Sequence, residues 1–425
     1  MDKKYWNPAE KHLWMSILFS SCLILYAARM TMPITVASVS RYYDWSKTDS
    51  GTVLSSFFWG YMMTQVLGGY ISDRIGGERV LLIVAIGWSV LTFFTPEMIS
   101  STSGNIWLVV LGRTIIGALQ GAHFPAIASI ISNNLHSSEK TFFTSVVTSG
   151  PAVGMLLSGS VGSFILEKYG WPYVFRTFGL LGISWILMLR YVGTEPSRKN
   201  DVAKEAEKYE YKVMSNIPWL LFFKHTAFWS MLFAHLSEAN SFFILLNWLP
   251  TYFDETFPRG KGWVFNVVPW MISPVSSILG GWLAEYLIAK GWKIIVIRKV
   301  LEASSQISKA CLLVVIGYLQ NYTWALICLS LAVAAGGLHG SAVFMNPQDI
   351  APQYAGSVFG IMNTVGAIPG FVGVYLAGYI LETSESWSTV FNLTALLNVL
   401  GCLSFVIFGI AKPIVPETED KVLHT

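Results

Sequence analysis

The sequence predicts an all-α membrane protein with twelve transmembrane helices in two six-helix bundles. The chain of 425 residues is 53% hydrophobic and only 12% charged, whereas soluble globular proteins contain about 25% charged residues. Apolar stretches of about 20 residues, long enough to cross a bilayer, recur along its whole length. One long polar interruption, residues 194–224, divides these stretches into two sets of six. Such a division is typical of an internal repeat.

The twelve spans follow from the apolar runs in chain order. The first run opens near Leu13; it is too long for a signal-peptide core and lacks a small-residue cleavage site, so it is predicted to be the first span. In the first half the spans are predicted at 13–37, 51–71, 80–99, 106–131, 142–165 and 173–193. In the second half they are predicted at 226–249, 264–288, 297–319, 322–345, 355–380 and 387–410. The predicted domains are therefore an N-terminal bundle (1–195), a cytoplasmic linker (196–224) and a C-terminal bundle (225–425).

The lysines and arginines outside the spans predict the orientation. Most of them fall in the N-terminal segment, the linker and the other connections on the same side of the membrane. Because the cytoplasmic side carries the excess of positive charge, both termini are predicted to be cytoplasmic. The net charge of +3 is too small to indicate a nucleic-acid partner. The four cysteines all lie within apolar runs, which favours buried thiols over a disulfide framework.

A short charged turn between spans two and three carries the most specific motif. Residues 69–79 read Gly-Tyr-Ile-Ser-Asp-Arg-Ile-Gly-Gly-Glu-Arg. The pattern G-x-x-x-D-R-x-G-G-x-R resembles the signature loop of the major facilitator superfamily, although a turn that only carries positive charge is the alternative. The resemblance implies that the Asp73 carboxylate sits against the cytoplasmic N-terminus of span eleven, where the helix dipole favours it. The implied gating residues, including a weaker echo in the second half, are Gly69, Asp73, Arg74, Gly76, Arg79, Glu285 and Arg298.

Ionisable residues within spans are costly, so each is a candidate functional residue. Arg29 in span one and Arg113 in span four have no acidic residue nearby in their own spans. Because arginine keeps its proton, both must face water, a partner on another helix, or an anionic ligand. For Arg113 a structural role is the alternative, since Gly117 and Gly121 form a helix-packing face beside it.

The second half carries two further embedded charges. Glu238 in span seven is a candidate proton carrier or partner of a basic residue. Lys309 in span nine has Glu302 two turns earlier on the same face, which favours a structural ion pair between these two. Lone membrane histidines more often make packing hydrogen bonds than relay protons; those within apolar runs are His123, His235 and His339.

The resemblance narrows to solute carrier family 17, whose members carry organic anions. It rests on Leu-Ser-Ser-Phe-Phe-Trp-Gly-Tyr at 54–61, Asp-Ile-Ala-Pro at 349–352 and Gly-Ile-Met-Asn-Thr at 360–364. Residues 241–258 and 261–270, in spans seven and eight, are most similar to nucleotide-carrying members. The resemblance therefore implies that the transported substrates are the nucleotides ATP, ADP and GTP.

Departures from the glutamate-carrying members bear on charge. Leu54 stands where those relatives have a histidine, and Gln120 stands where they have a glutamate, seven residues after Arg113. Positions seven apart share nearly one helix face. One carboxylate fewer beside the arginine suits a multiply charged anion and removes a candidate proton carrier, which favours drive by membrane potential. Glu238 falls about where these relatives have an arginine, which leaves the polarity of the second half open.

The predicted function is secondary active transport that loads ATP and other nucleotides from the cytosol into secretory vesicles or lysosome-like organelles. The alternative is a proton-coupled carrier of small organic anions of the sialic acid, glutamate or phosphate type. A receptor or scaffold without transport is a third hypothesis, and the buried arginines argue against it. The predicted substrate-binding residues are Arg29, Arg113, Tyr26, Gln120, His123 and Asn363, with Glu238 and Lys309 as candidates for coupling.

No enzymatic activity is predicted, because the chain lacks the phosphate-binding loop G-x-x-x-x-G-K-[ST]. ATP is then cargo rather than fuel. No cofactor, metal or nucleic-acid partner is predicted, and a dependence on chloride stays open. We expect the protein to be a monomer in the lipid bilayer.

Overall fold

The computed structural model describes residues 6–135, 137–192, 218–258, 260 and 262–415, and within them the secondary structure is helical, without strands. The first half consists of α1 (Pro8–Arg29), α2 (Thr31–Tyr43), α3 (Lys47–Ile75), α4 (Gly77–Ser101), α5 (Ile106–Gly121), α6 (His123–Asn134), α7 (Ser137–Leu157), α8 (Ser163–Tyr169) and α9 (Trp171–Val192). The second half consists of α10 (Trp219–Lys224), α11 (Thr226–Thr256), α12 (Gly262–Ala289), α13 (Ile294–Ile316), α14 (Tyr322–Gly336), α15 (Asn346–Ile350), α16 (Ala355–Ser384) and α17 (Trp387–Phe408).

Helix ends coincide with capping residues in the sequence. Asn7 and Glu10 form a reciprocal capping box at the start of α1, with hydrogen bonds of 2.9 and 2.8 Å. Ser46 and Asp49 form the same arrangement at the start of α3. Gly76, at φ 95°, ends α3 and lets the chain reverse directly into α4. Spans two and three are therefore antiparallel neighbours, joined by the motif of residues 69–79.

Nine helical segments of the described chain are long and apolar enough to cross a membrane. The remaining predicted spans are helices of 29, 31 and 23 residues, namely α3, α11 and α13. They are more polar because α3 carries the charged motif, α11 carries Glu238, and α13 carries both Glu302 and Lys309. Large apolar side chains on many spans face outward, as contact with lipid requires; examples are Ile83, Leu111, Leu187, Ile278 and Ile407.

In the described chain, four spans depart from a regular α-helix near their centres, and in span five the departure is a π-helical segment, Ser158–Gly162. Span one breaks at Met30, between α1 and α2, and span four breaks at Ala122, between α5 and α6. Span ten continues after α14 as a 3₁₀ segment, Gly337–Ser341. Broken helices within a membrane are tolerated where the chain is buried in protein or lines a cavity. The breaks place Arg29 at the last residue of α1 and His123 at the first residue of α6.

The two halves are joined firmly at one end of the molecule, which we term the sealed end. Arg41 pairs with Asp254 at 3.1 Å, and Lys47 pairs with Glu255. The Thr48 amide donates to a Glu382 carboxylate oxygen at 2.8 Å. Nearby, Asn266 of span eight donates to Ser163 of span five at 2.8 Å. These contacts link the predicted bundles across their interface.

Spans two and eleven pack closely toward the sealed end and diverge toward the other. Trp59 and Phe371 are in edge-to-face contact at 5.8 Å, and a Cβ placed on Gly370 would meet the Phe58 ring at 2.6 Å. Beyond this level, Met63 and Leu67 are exposed. A Cβ on Gly360 would have no neighbour within 4 Å in the described chain. We term this second end, which carries Gly76 and α10, the linker end.

The predicted domain limits stay a prediction. Residues 196–217 of the predicted linker lie outside the described residues. The last residues of that predicted linker form α10, whose Phe222 is fully buried against Phe228 and Tyr354 of the second half. That end of the predicted linker is thus part of the packed bundle. The predicted placement of both termini in the cytosol also stays a prediction.

Candidate anion-binding site

Arg29 lies in the interior of the first half, where α1 ends. Arg29 is only 5% exposed, and its Nε donates a hydrogen bond to the Gln120 Oε1 at 3.3 Å. The buried Nη2 has no hydrogen-bond partner among the described residues. A buried guanidinium with an unused donor is costly unless a ligand or water completes it.

Aromatic rings take the place of a counter-ion around Arg29. The guanidinium carbon Cζ lies 4.3 Å from the ring centre of Tyr26 and 4.7 Å from those of both Phe57 and Tyr61. Each such cation–π contact stabilises a positive charge by about 0.5–2 kcal/mol. The charge is therefore held within the protein without an acid that would compete for it.

Arg113, on α5, shares one of these rings. It is 4% exposed, and its Cζ lies 5.1 Å from the Phe57 ring centre. Within the described chain Arg113 forms no ion pair, and its buried Nε has no hydrogen-bond partner. Both guanidinium carbons lie near the same ring centre, so the two positive charges are close enough to repel each other. Two like charges in a low-dielectric interior favour the binding of an anion between them.

The packing of α3 against α5 fixes this arrangement. A Cβ on Gly117 would clash with the Phe57 carbonyl oxygen, and a Cβ on Gly121 would lie 2.5 Å from the Tyr61 carbonyl oxygen. The helices therefore touch backbone to backbone, one turn from Arg113. Gly117 and Gly121 form the helix-packing face that their spacing predicts.

The structure brings together most of the predicted substrate-binding residues. Tyr26, Arg29, Arg113 and Gln120 form one cluster, and His123 begins the helix whose next residue, Phe124, packs edge-to-face on Tyr26. His123 is fully buried and contacts the Ser21 hydroxyl at 3.2 Å.

Asn363 stands apart from this cluster. It is exposed on span eleven and makes no hydrogen bond to either arginine in the described chain.

The sequence does not predict the contacts of Phe57 and Tyr61 with the arginines. Both belong to the conspicuous run at 54–61, and their spacing of four residues places them on one face of α3. This shared helix face is the feature of the sequence from which their common role could have been predicted. The rings are stacked on each other, with centres 5.6 Å apart.

In the second half the embedded charges are paired, but not as their spacing predicts. Lys309 forms its ion pair with Glu238 of span seven, and the predicted pair of Lys309 with Glu302 is wrong. Glu302 instead contacts His339 Nδ1 at 2.9 Å and accepts from Gln306 at 2.9 Å. The spacing along a helix predicts contacts within that helix only. The partners of Lys309 and Glu302 come instead from spans seven and ten.

Span ten is shaped around this network. A Cβ on Gly336 would lie 2.8 Å from a Glu238 carboxylate oxygen and 2.9 Å from Lys309 Nζ, so a glycine leaves room for the ion pair. His339 sits in the 3₁₀ segment and also contacts His235, with ring nitrogens 3.1 Å apart. The candidates for coupling therefore belong to a compensated network within the second half.

The predicted gating residues lie at the linker end. Arg74 packs over the Tyr70 ring at 4.4 Å, Gly69 lies against Pro125, and Arg79 is exposed. The Asp73 side chain lies outside the described part of the structure, so its predicted contact with span eleven stays a prediction. The second-half residues do not pair with each other: Glu285 is exposed, whereas Arg298 binds Asp349 at 3.0 Å and donates to the Ser341 carbonyl at 2.6 Å.

Comparison with known proteins places these features in context. Residues 17–374 match the sequence model of the Major Facilitator Superfamily. The chain is 38% identical to the voltage-gated purine nucleotide uniporter of Rattus norvegicus, across 99% of this chain and 94% of that protein. It is 31% identical to the chloroplastic ascorbate transporter of Arabidopsis thaliana, across 96% of this chain and 77% of that protein.

Among solved structures, the fold is similar to a bacterial homologue of the human lysosomal transporter Spinster, in an inward-facing and occupied conformation. The TM-score is 0.77, with 14% sequence identity, and the match covers 95% of this chain and 97% of that one. At this level of identity the likeness concerns the fold alone.

Proposed function

The chain belongs to the major facilitator superfamily, within solute carrier family 17, and on that premise we propose that it transports purine nucleotides, ATP among them, as cargo. The proposal is supported by a relative named as a purine nucleotide uniporter at 38% identity across nearly the whole chain. The ascorbate transporter, a carrier of a singly charged organic acid, is more distant at 31%. The protein is thus a transporter, and no catalytic step is part of its function.

The observation that carries the proposal is the pair of buried arginines, neither of which has an acidic partner among the described residues. Arg29 and Arg113 keep unpartnered donor nitrogens within the described chain and share the Phe57 ring. Guanidinium groups bind phosphate oxygens in bidentate geometry, with charge-assisted hydrogen bonds. A nucleotide that bridges the two arginines would neutralise their repulsion and use these donors. In this assignment Gln120 orients Arg29, and Tyr26 supports its charge.

We further propose that membrane potential alone drives the uptake. An anion that enters a compartment with a positive interior gains about 2.3 kcal/mol per charge per 100 mV. A nucleotide with about four negative charges would gain roughly 9 kcal/mol at 100 mV. Because 1.4 kcal/mol corresponds to a tenfold ratio, this energy supports strong accumulation without a coupled proton. Gln120, which is neutral and lies beside Arg29, is consistent with uptake that needs no proton carrier at this position.

The proposed setting is the membrane of a secretory vesicle or a lysosome-like organelle, with both termini in the cytosol and the protein as a monomer. The charge distribution of the sequence supports the orientation. It puts the linker end on the cytosolic side. The contacts at the sealed end and the divergence of spans two and eleven support a state that receives substrate from that side.

The rival function is proton-coupled transport of a monocarboxylate, with Glu238 as proton carrier. The Glu238 carboxylate is paired with Lys309, but its buried Oε2 has no partner in the described chain, so the rival keeps one specific observation in its favour.

Proteoliposomes with separately imposed gradients distinguish the two functions. We expect a potassium–valinomycin potential, positive inside, to drive ATP uptake with equal pH on both sides. We expect a pH gradient alone to drive none. Uptake that responds only to the pH gradient and disappears in Glu238→Gln would overturn the proposal in favour of the proton-coupled rival.

A further inference from the structure

Phe57 is the one side chain whose ring is in contact with both arginines in the described chain. Its ring centre lies 4.7 Å from the Arg29 Cζ and 5.1 Å from the Arg113 Cζ. The ring itself is fully buried, at 0% exposure. One rigid, uncharged side chain thus touches both guanidinium groups, in addition to the contacts that Arg29 makes with Tyr26, Tyr61 and Gln120.

The backbone under this ring is also fixed. The Phe57 carbonyl oxygen lies against Gly117, one turn after Arg113 on α5, with no side chain between the helices. A Cβ on Gly60 would likewise clash with the Thr114 carbonyl oxygen. The position of Phe57 relative to the Arg113 backbone therefore cannot adjust without separating α3 from α5.

The contact of one fixed ring with two like charges has a consequence for the ligand. The arginines share one ring and therefore repel each other, and within the described chain neither forms an ion pair with a carboxylate. A cation–π contact leaves the in-plane N–H groups of a guanidinium free to donate, because the ring occupies only its face. Each arginine therefore offers its donors separately, and an anion with two charged groups in series satisfies both.

We propose that Phe57 is a specificity-determining residue that spaces Arg29 and Arg113 for two linked phosphates. The inference rests on the proposed nucleotide transport and makes it more specific. Nucleoside di- and triphosphates would engage both guanidinium groups. A nucleoside monophosphate or inorganic phosphate would engage chiefly one of them and leave the other unpaired.

The test measures binding apart from transport. Purified protein in detergent is titrated with ATP, AMP and inorganic phosphate, and the ligand-induced rise in unfolding temperature reports each affinity. We expect wild type to bind ATP at least tenfold more tightly than AMP. In Phe57→Leu we expect this preference to fall by about tenfold, because the cation–π contacts with two arginines, about 0.5–2 kcal/mol each, are lost.

Two further variants separate spacing from packing. Phe57→Tyr keeps a ring and should keep the ATP preference to within about threefold, since the cation–π contacts remain. Phe178→Leu removes an equally buried ring from the same apolar cluster, without an arginine contact, and should leave the preference unchanged. Should Phe57→Leu fail to purify as a folded protein, Phe57→Met removes the ring with a more adaptable side chain.

The outcomes are distinguishable from those of the function itself. If wild type binds ATP and AMP alike, or if Phe57→Leu weakens both by one common factor, the spacing role is overturned while nucleotide transport stands. Equal loss of preference in Phe178→Leu would also overturn it. If wild type binds no nucleotide at all, the proposed function itself fails.

Discussion

The two halves of the molecule treat buried charge in opposite ways. In the first half, Arg29 and Arg113 have no acidic partner in the described chain and are supported by aromatic rings. In the second half, Lys309 is paired with Glu238, and Glu302 is paired with His339. A buried ion pair neutralises itself, whereas an unpaired buried charge needs a partner from outside. On the proposed function, the first half would supply the affinity for the anion, because its buried charges have no acidic partner in the described chain, whereas the buried charges of the second half pair with each other.

The largest effect should be a loss of stability when one partner of the buried ion pair in the second half is replaced. Lys309→Met leaves the Glu238 carboxylate buried without its partner, so we expect the free energy of unfolding to fall by about 3–5 kcal/mol. The measurement is equilibrium unfolding of the purified protein in mixed detergent micelles. The double variant Glu238→Gln with Lys309→Met should regain most of the loss, because neither charge is then left alone.

The matched control for this prediction lies in the first half. Arg29→Met removes a buried charge that has no acidic partner in the described chain. The relieved desolvation cost offsets the lost cation–π contacts, so stability should change much less than in Lys309→Met. Equal destabilisation by Arg29→Met and Lys309→Met would erase the contrast between the halves.

The next largest effect should be a loss of transport when the buried arginines of the first half are replaced. Arg29→Ala or Arg113→Ala should lower voltage-driven ATP uptake about a hundredfold, since charge-assisted hydrogen bonds contribute about 1.5–3 kcal/mol each. Arg→Lys at either position should recover little of it, because lysine lacks the planar fork. Initial rates in proteoliposomes, normalised to the amount of inserted protein, give the measurement. Uptake by the alanine variants at the wild-type rate would exclude the arginines from the site.

The smallest effect should come from giving a buried arginine of the first half an acidic partner, as the buried lysine of the second half already has. Gln120→Glu places a carboxylate beside Arg29 and gives it a competing internal partner, so we expect the apparent affinity for ATP to fall about tenfold, or 1.4 kcal/mol. Gln120→Leu removes the same hydrogen bond without adding a charge and should have a smaller effect. The comparison is the ATP concentration at half-maximal uptake. A value for Gln120→Glu equal to that for Gln120→Leu would show that the absence of charge at this position is unimportant.

The sequence predicts much of this arrangement because its signals are local. Apolar runs identify the spans, and a lone arginine within a run is conspicuous without any knowledge of its neighbours. The partner of Lys309 could not be predicted in this way, since it comes from span seven, 71 positions away in the chain. The roles of Phe57 and Tyr61 were equally hidden, because a ring is ordinary in a chain with 26 Phe and 18 Tyr. Only the packing of spans one, two and four turns these rings into partners of a charge.

The backbone contact between α3 and α5 also has a genetic consequence. At Gly60 and Gly117 an added Cβ would meet a carbonyl oxygen of the opposite helix. Every amino acid that a single-base change in a glycine codon can encode has a Cβ. No missense change at these codons is therefore conservative, alanine included. Inherited variants at these two positions should behave as null alleles, although neither glycine is among the residues proposed to bind substrate.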